Sequence, residues 1–171
     1  VRACARGGIV GTPSSGNPED QQMNTLVDAL RIYLASNFVL YLKTHFIHWN
    51  VQGMFFMQLH KMFEEQYQDL WENTDTIAEK VRELDSPVTL TPQDQIELSV
   101  IDPTQQLGSA KDHLTTLLAD HQRMITLLNK VFAVAEQAND QAIMNYIAER
   151  LDAHAKMRWF IKATLTSVES R

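Results

Sequence analysis

Cysteine is almost missing from this chain, which has a single cysteine, Cys4, among 171 residues. One cysteine cannot supply an intrachain disulfide framework or a thiolate metal site, and such scarcity is typical of a reducing compartment. Long apolar runs are missing too, since no stretch approaches the roughly 18 residues expected of a membrane-spanning helix. The apolar pair Ile9–Val10 is too short for the core of a secretory signal. We therefore expect a cytoplasmic protein without a membrane partner.

Basic residues are fewer than acidic ones, with 15 Lys and Arg against 21 Asp and Glu and a net charge of −6. This balance argues against general nucleic-acid binding and favours the attraction of cations. Apolar residues make up 44% of the chain, enough for one domain with a sizeable core. We expect residues 1–17, rich in Gly, Ser and Pro, to form a flexible tail, and residues 18–168 to form the domain.

Helical periodicity dominates the rest of the sequence, and no stretch shows the alternation expected of a sheet. Helix signals predict four long helices, over about 18–50, 56–84, 103–137 and 140–167, and one short helix that starts at Thr91-Pro92-Gln93-Asp94. Helices of this length with one long crossover, between the second and third long helices, indicate an all-α, ferritin-like four-helix bundle. The short helix is expected within that crossover.

The second predicted helix carries two pairs of candidate metal ligands, His60 with Glu64 and Asp75 with Glu79. A spacing of four places each pair on one helix face, but the pairs lie about three turns apart. They are symmetric about a midpoint between residues 69 and 70, near Trp71. An antiparallel two-fold contact would therefore bring His60 and Glu64 of each subunit against Asp75 and Glu79 of the other. Solvated i,i+4 pairs are the alternative interpretation.

Nitrogen and carboxylate ligands without thiolate suit Fe(II), Zn(II) and Mn(II). The surrounding motifs are His48-Trp49-Asn50-Val51-Gln52-Gly53, then Leu59-His60, then Asp75-Thr76-Ile77-Ala78-Glu79. Together they resemble the Dps family, the small ferritin relatives that protect bacterial DNA during starvation and oxidative stress. The resemblance covers about residues 20–167.

The resemblance implies a hollow shell of twelve identical subunits with ferroxidase activity. Such a shell oxidises Fe(II), preferably with hydrogen peroxide rather than oxygen, and stores the product as ferric mineral. It implies that His48, His60 and Glu64 of one subunit bind iron together with Asp75 and Glu79 of its partner. The family more often has Asp at the position of Glu64, which leaves occupancy by a second iron open. Zinc at the same site is a second option.

Two further roles follow from the resemblance alone. Trp49 is expected beside the iron, where its indole could absorb stray oxidising equivalents. Asp140, Asn145 and Glu149 match acidic positions that line three-fold pores in the family. Asn145 replaces a carboxylate, so the pore should attract cations less strongly. Asp140 could also act as a plain helix N-cap.

Direct DNA binding is expected to be weak or absent, because the tail has Arg2 and Arg6 but no lysine. Association with the nucleoid therefore stays open. One alternative is a DNA-binding or structural shell whose site holds idle zinc, and another is an interaction module with no shell. His45 fits a position behind the metal ligands or on the surface equally well. His113, His121 and His154 show no interpretable spacing.

Overall fold

The computed structural model describes residues 25–169, with side chains described as far as Thr166. Within that range the chain forms five helices and no strand, which confirms the all-α prediction. The helices are α1 (Leu26–Asn50), α2 (Phe56–Glu83), α3 (Pro92–Leu98), α4 (Ala110–Gln137) and α5 (Gln141–Glu169). No helix among these residues is long and apolar enough to cross a membrane.

The four long helices pack as two hairpins, α1 with α2 and α4 with α5, and α1 also contacts α4 and α3. The first hairpin turns sharply at Gly53, whose φ of +108° lies in the region that favours glycine. Its carbonyl accepts a hydrogen bond from the Phe56 amide at 3.1 Å, which starts α2 directly after the turn. The start of α2 therefore lies opposite the end of α1, where the motif histidines are.

The start predicted for the first helix, at residues 17–20, lies outside the described residues. The described part of α1 begins after Thr25, which is extended and accepts a hydrogen bond from the Asp28 amide. The third long helix was predicted to begin after Asp102-Pro103, and this was wrong. Asp102 instead accepts from the amide of Thr104 two residues on, a local turn that competes with helix.

The actual start of α4 is a capping box, in which Ser109 accepts from the Asp112 amide and Asp112 accepts from the Ser109 amide. A second capping box, Thr91 with Asp94, starts α3 where the sequence predicted it. The turn before α5 uses Asn139, with a positive φ of 56°, followed by Asp140 as the helix cap.

The core is formed by the apolar stripes of the four long helices. The buried stripe of α2 runs from Leu59 to Val81, and most apolar positions of α1 are buried, whereas Leu42 is exposed. One charged pair also lies in the core. Lys43 of α1 reaches the fully buried Asp120 of α4 with 2.8 Å between nitrogen and oxygen. A buried charge of this kind is stable only when it is paired, so this contact fixes how α1 sits on α4.

Candidate metal centre

His48 at the end of α1 and His60 at the start of α2 stack face to face, with their ring centroids 3.7 Å apart and their planes 21° from parallel. Each ring also bonds to the backbone of the other residue. His48 Nδ1 lies 2.8 Å from the His60 carbonyl oxygen, and His60 Nδ1 lies 2.9 Å from the His48 carbonyl oxygen. The α1–α2 turn therefore holds the two rings as a reciprocal pair.

The reciprocal bonds decide which nitrogen of each histidine carries the proton. A carbonyl oxygen only accepts, so both Nδ1 atoms must be N–H donors. In the neutral rings this leaves both Nε2 atoms with free lone pairs, the form in which histidine binds metals. Metal-binding histidines characteristically donate their other N–H to a carbonyl or carboxylate, which fixes the ring orientation. The His48–His60 pair is therefore pre-arranged to offer two nitrogen ligands.

The three carboxylates predicted as ligands lie on α2 after the histidines. Glu64 is half-buried one turn beyond His60, and Asp75 and Glu79 are exposed further along the helix. Within the described part of the chain none of these carboxylates makes a hydrogen bond or an ion pair. Neighbouring acids are engaged, for example Glu83 with Lys80 at 2.9 Å. The predicted ligands are thus left available on the surface.

One chain does not assemble a complete metal site from its own described residues. Among residues 25–169, no three His, Cys, Asp or Glu side chains come together in a way that could hold a metal ion. The structure brings His48 and His60 together, and Asp75 and Glu79 lie separately on the same helix. Any complete site that uses all of them needs ligands from a second subunit.

The two tryptophans near these residues occupy different surroundings. Trp49 is 65% exposed, and its ring packs on His45 at 4.2 Å. Among the described rings it has no direct stacking contact with either His48 or His60. Trp71 is 56% exposed and lines a surface depression together with Asp75. This places Trp71 on the surface near the midpoint of the two ligand pairs, where the predicted two-fold contact would cover it.

The candidate pore residues lie at the start of α5. Asp140 is the N-cap, accepting from the Ile143 amide at 2.9 Å, so the simpler role considered for it is present. Asn145 is exposed and its side chain accepts from Gln141 at 3.0 Å. Glu149 is exposed and lines a groove between α2 and α5. Their role in a pore stays a prediction, because it depends on neighbouring subunits.

Sequence reasoning missed two groups of residues. His45, placed equally well on the surface or behind the ligands, is half-buried and stacks on Tyr67 at 4.0 Å. His121 of α4 and His154 of α5 form a fully buried pair with 3.0 Å between their Nδ1 atoms. They are 33 residues apart on different helices, so no local spacing could reveal the pair. For His45, the spacing of three before His48 was a signal, but a weak one.

Comparison with known proteins identifies the family. A model of the ferritin-like domain matches residues 27–170. The DNA protection during starvation protein of Brevibacillus brevis is 31% identical over 130 residues, which cover 74% of this chain and 85% of that protein. The DNA protection during starvation protein of Helicobacter pylori is 28% identical, over 81% of this chain and 96% of that protein.

Solved structures give the same result. Dps from Thermosynechococcus elongatus has 26% sequence identity and superposes with a TM-score of 0.80, covering 87% of this chain and 95% of that one. The ferritin-like match spans well over half of the chain, and the Brevibacillus protein exceeds 30% identity over most of its own length. The chain therefore belongs to the Dps family of ferritin-like proteins.

Proposed function

We propose that this protein is a ferroxidase and iron store that removes Fe(II) and hydrogen peroxide and so protects DNA from oxidative damage. The observation that carries the proposal is the reciprocal His48–His60 pair, whose hydrogen bonds leave two Nε2 lone pairs available to a metal. Family membership supports the same function, since relatives bear the name of DNA protection during starvation.

The complete sites form across a two-fold axis between subunits. His48, His60 and Glu64 of one subunit bind Fe(II) together with the partner's Asp75 and the partner's Glu79. Two observations support this arrangement. His60 and Glu64 lie on the same helix as Asp75 and Glu79, but the two pairs are too far apart along it to share an ion. Asp75 and Glu79 are exposed and unpaired among the described residues, as ligands completed by another subunit would be.

The ligand set accounts for the chemistry. Carboxylates are hard anionic ligands, and they stabilise Fe(III) relative to Fe(II) as the metal gives up an electron. Binding that is stronger to the oxidised product lowers the barrier to reaching it. Hydrogen peroxide is the preferred oxidant in this proposal, and it accepts two electrons without leaving a radical when both come from iron. Trp49, next to His48 in the chain, lies beside the iron in this proposal and would absorb stray oxidising equivalents.

Assembly and location complete the proposal. Twelve identical subunits form a hollow shell in the cytoplasm, in which the ferric product collects. Asp140, Asn145 and Glu149 line the Fe(II) entrance, and the neutral Asn145 makes that entrance less attractive to cations. Direct DNA binding is weak or absent, so protection comes from removing the reactants. Zinc suits the same ligands, and a zinc-filled idle shell is the second candidate function.

The test is to add Fe(II) and hydrogen peroxide to the purified protein and to record iron and protein together during size exclusion. We expect soluble ferric iron to elute with a large shell. In the His60→Ala variant and in the Glu79→Ala variant, no ferric iron should elute with the shell. Glu83→Ala, an exposed glutamate one turn from Glu79, is the matched control and should retain it.

Two results would contradict the proposal. Iron that precipitates as in buffer, although the shell is intact, would favour the idle zinc-filled shell. A monomer or dimer mass would instead favour an interaction module without a shell.

A further inference from the structure

A continuous group of aromatic rings lies between α1 and α2 beside the candidate histidines. The Tyr67 ring meets the His48 ring edge-on at a centroid distance of 5.0 Å and stacks on His45 at 4.0 Å. The Tyr41 ring lies 6.4 Å from Tyr67 and 5.3 Å from Trp71. We call Tyr67, Tyr41 and Trp71, with His45 against both tyrosines, the aromatic chain.

The two ends of the aromatic chain lie beside different halves of the candidate ligand set. Tyr67 contacts His48, whose ring stacks on His60. At the other end Trp71 lines the same surface depression as Asp75, one helical turn away. In the proposed assembly the histidines serve one metal site, and Asp75 serves the other site of the same two-fold pair. One subunit's aromatic chain therefore runs from one site towards the other.

The residue types suit electron transfer. A phenol or an indole ring can lose a single electron, which the side chains of leucine and phenylalanine do not readily do. A tyrosine that loses an electron must also release its phenolic proton. The Tyr41 hydroxyl lies 3.3 Å from His45 Nδ1, which can accept that proton and return it. Tyr67 is only half-buried, so solvent can exchange protons with it.

Packing accounts for Tyr41, which lies against the core, but not for Trp71. Trp71 leaves 56% of its surface exposed and so contributes little to the core of its own subunit. Outside this group, Trp49 packs on His45, whereas the exposed Trp159 contacts only Phe160 among the described aromatic rings. The aromatic chain is distinctive because three oxidisable rings touch in sequence and begin at a candidate metal ligand.

We infer that the aromatic chain passes single electrons between the two metal sites of a two-fold pair. Two Fe(II) ions bound at separate sites can then reduce one hydrogen peroxide together. The inference rests on the proposed function, because it requires iron at both sites. It adds a role for Tyr67, Tyr41 and Trp71, none of which binds the metal.

Reduction of one hydrogen peroxide to two water molecules takes two electrons and two protons. Fe(II) at the site holding hydrogen peroxide gives one electron, Tyr67 gives the second, and the O–O bond breaks. Two protons from solvent complete two water molecules. Tyr41 then re-reduces Tyr67, and Trp71 re-reduces Tyr41, so the electron hole moves from Tyr67 to Trp71. Each tyrosine takes back its proton as it regains an electron. Fe(II) at the second site restores Trp71, so both irons end as Fe(III) and every ring is unchanged.

The test uses shells loaded with one Fe(II) per site and less than one hydrogen peroxide per two irons. The variants are Tyr41→Phe, which removes only a hydroxyl, and Trp71→Phe, with Trp159→Phe as the matched control. Three quantities are measured: Fe(II) consumed per peroxide, hydroxyl radical captured by a spin trap, and tyrosyl or tryptophanyl radical by freeze-quench EPR. Shell mass and Co(II) binding are recorded to verify assembly and metal sites.

For the unmodified protein we expect two Fe(II) consumed per peroxide, little trapped radical and a transient ring radical. In Tyr41→Phe and Trp71→Phe, consumption should fall towards one Fe(II) per peroxide, and trapped radical should rise towards its level in buffer. Trp159→Phe should match the unmodified protein. If both chain variants do so as well, with assembly and Co(II) binding intact, the inference is wrong.

Failure of the inference can be distinguished from failure of the proposed function. If the unmodified protein oxidises no iron, the proposed function itself fails. If Trp71→Phe prevents assembly, Tyr41→Phe decides alone, because it retains the ring and its packing.

Discussion

Two histidine pairs connect neighbouring helices in this protein, and they differ in what their ring nitrogens face. In the His48–His60 pair both Nδ1 atoms donate to carbonyl oxygens, which leaves both Nε2 atoms as open acceptors. In the His121–His154 pair the two Nδ1 atoms face each other at 3.0 Å, so one must donate and the other accept. The first pair leaves its Nε2 atoms available to a metal, whereas in the second pair the two rings bond to each other.

Burial makes the contrast stronger. His121 and His154 are both fully buried, and neither Nε2 atom has a hydrogen-bond partner among the described residues. Desolvation lowers the pKa of His121 to about 4, with nearby Asp69 opposing the shift and Arg150 adding to it. Burial, the His121 ring and Arg150 also hold the pKa of His154 well below its usual value. The comparison shows that the partners offered to the nitrogens determine a histidine's role.

Breaking the buried pair should have the largest effect on stability and none on iron chemistry. His154→Leu leaves the His121 Nδ1 without its partner in the core, and an unsatisfied buried group costs about 1–3 kcal/mol. We expect the free energy of unfolding in urea to fall by that amount, while Co(II) binding and iron oxidation are unchanged. Loss of Co(II) binding in a folded His154→Leu shell would contradict the separation of the two pairs.

Acid should destabilise the protein through the buried pair. The unfolded histidines titrate near 6.5, whereas the pKa of buried His121 is about 4. Above pH 6.5 neither state is protonated at this residue, so its stability contribution is complete. As pH falls below 6.5 the unfolded state binds the proton first, and stability is lost until the pH reaches about 4. The loss approaches about 1.4 kcal/mol per pH unit for each such histidine.

The measurement for this acid effect is the midpoint of thermal unfolding at pH 7.5 and at pH 5.5. The double variant His121→Leu/His154→Leu removes both titrating groups and retains similar volume, so its midpoint should fall less between the two pH values. An equal fall in the unmodified protein and the double variant would assign acid sensitivity to other groups.

The smallest expected effect concerns the candidate entrance. Asn145→Asp adds one negative charge per subunit, at an exposed position on α5 near Asp140 and Glu149. Attraction of cations into an acidic opening should increase the initial rate of iron uptake modestly at low salt, and the gain should shrink at high salt. A matched Asn129→Asp, exposed on α4, should leave the rate unchanged. A rate gain that salt does not reduce would argue against electrostatic steering.

Much of the fold could be predicted from the sequence, because its determinants are local. The capping box of Thr91 and Asp94 marks α3, and glycine at position 53 marks the first hairpin. The start of α4 was predicted too early because an Asp-Pro pair also begins turns. The pattern Ser109-Ala-Lys-Asp112 would have located it correctly.

The candidate site was predictable only in part. The motif around His48 and His60 identifies the residues, but their reciprocal bonds to each other's carbonyls depend on the turn between two helices. The His121–His154 pair and the aromatic chain are contacts between helices, set by tertiary packing rather than by spacing along one helix. Such contacts cannot be predicted from a local sequence pattern before the fold is known.

The central claim is that each metal site takes its histidines from one subunit and its carboxylates from another. It is tested by mixing. Shells of His60→Ala alone or Glu79→Ala alone should oxidise no iron at these sites. Unfolding the two variants together and reassembling them should restore activity, because in each mixed pair one site keeps every ligand.

Random pairing should leave about one quarter of the sites intact, since half of the two-fold pairs are mixed and each has one intact site, so iron oxidation should return in part. Mixed shells as inactive as either parent, despite complete reassembly, would contradict the shared site and the function built on it.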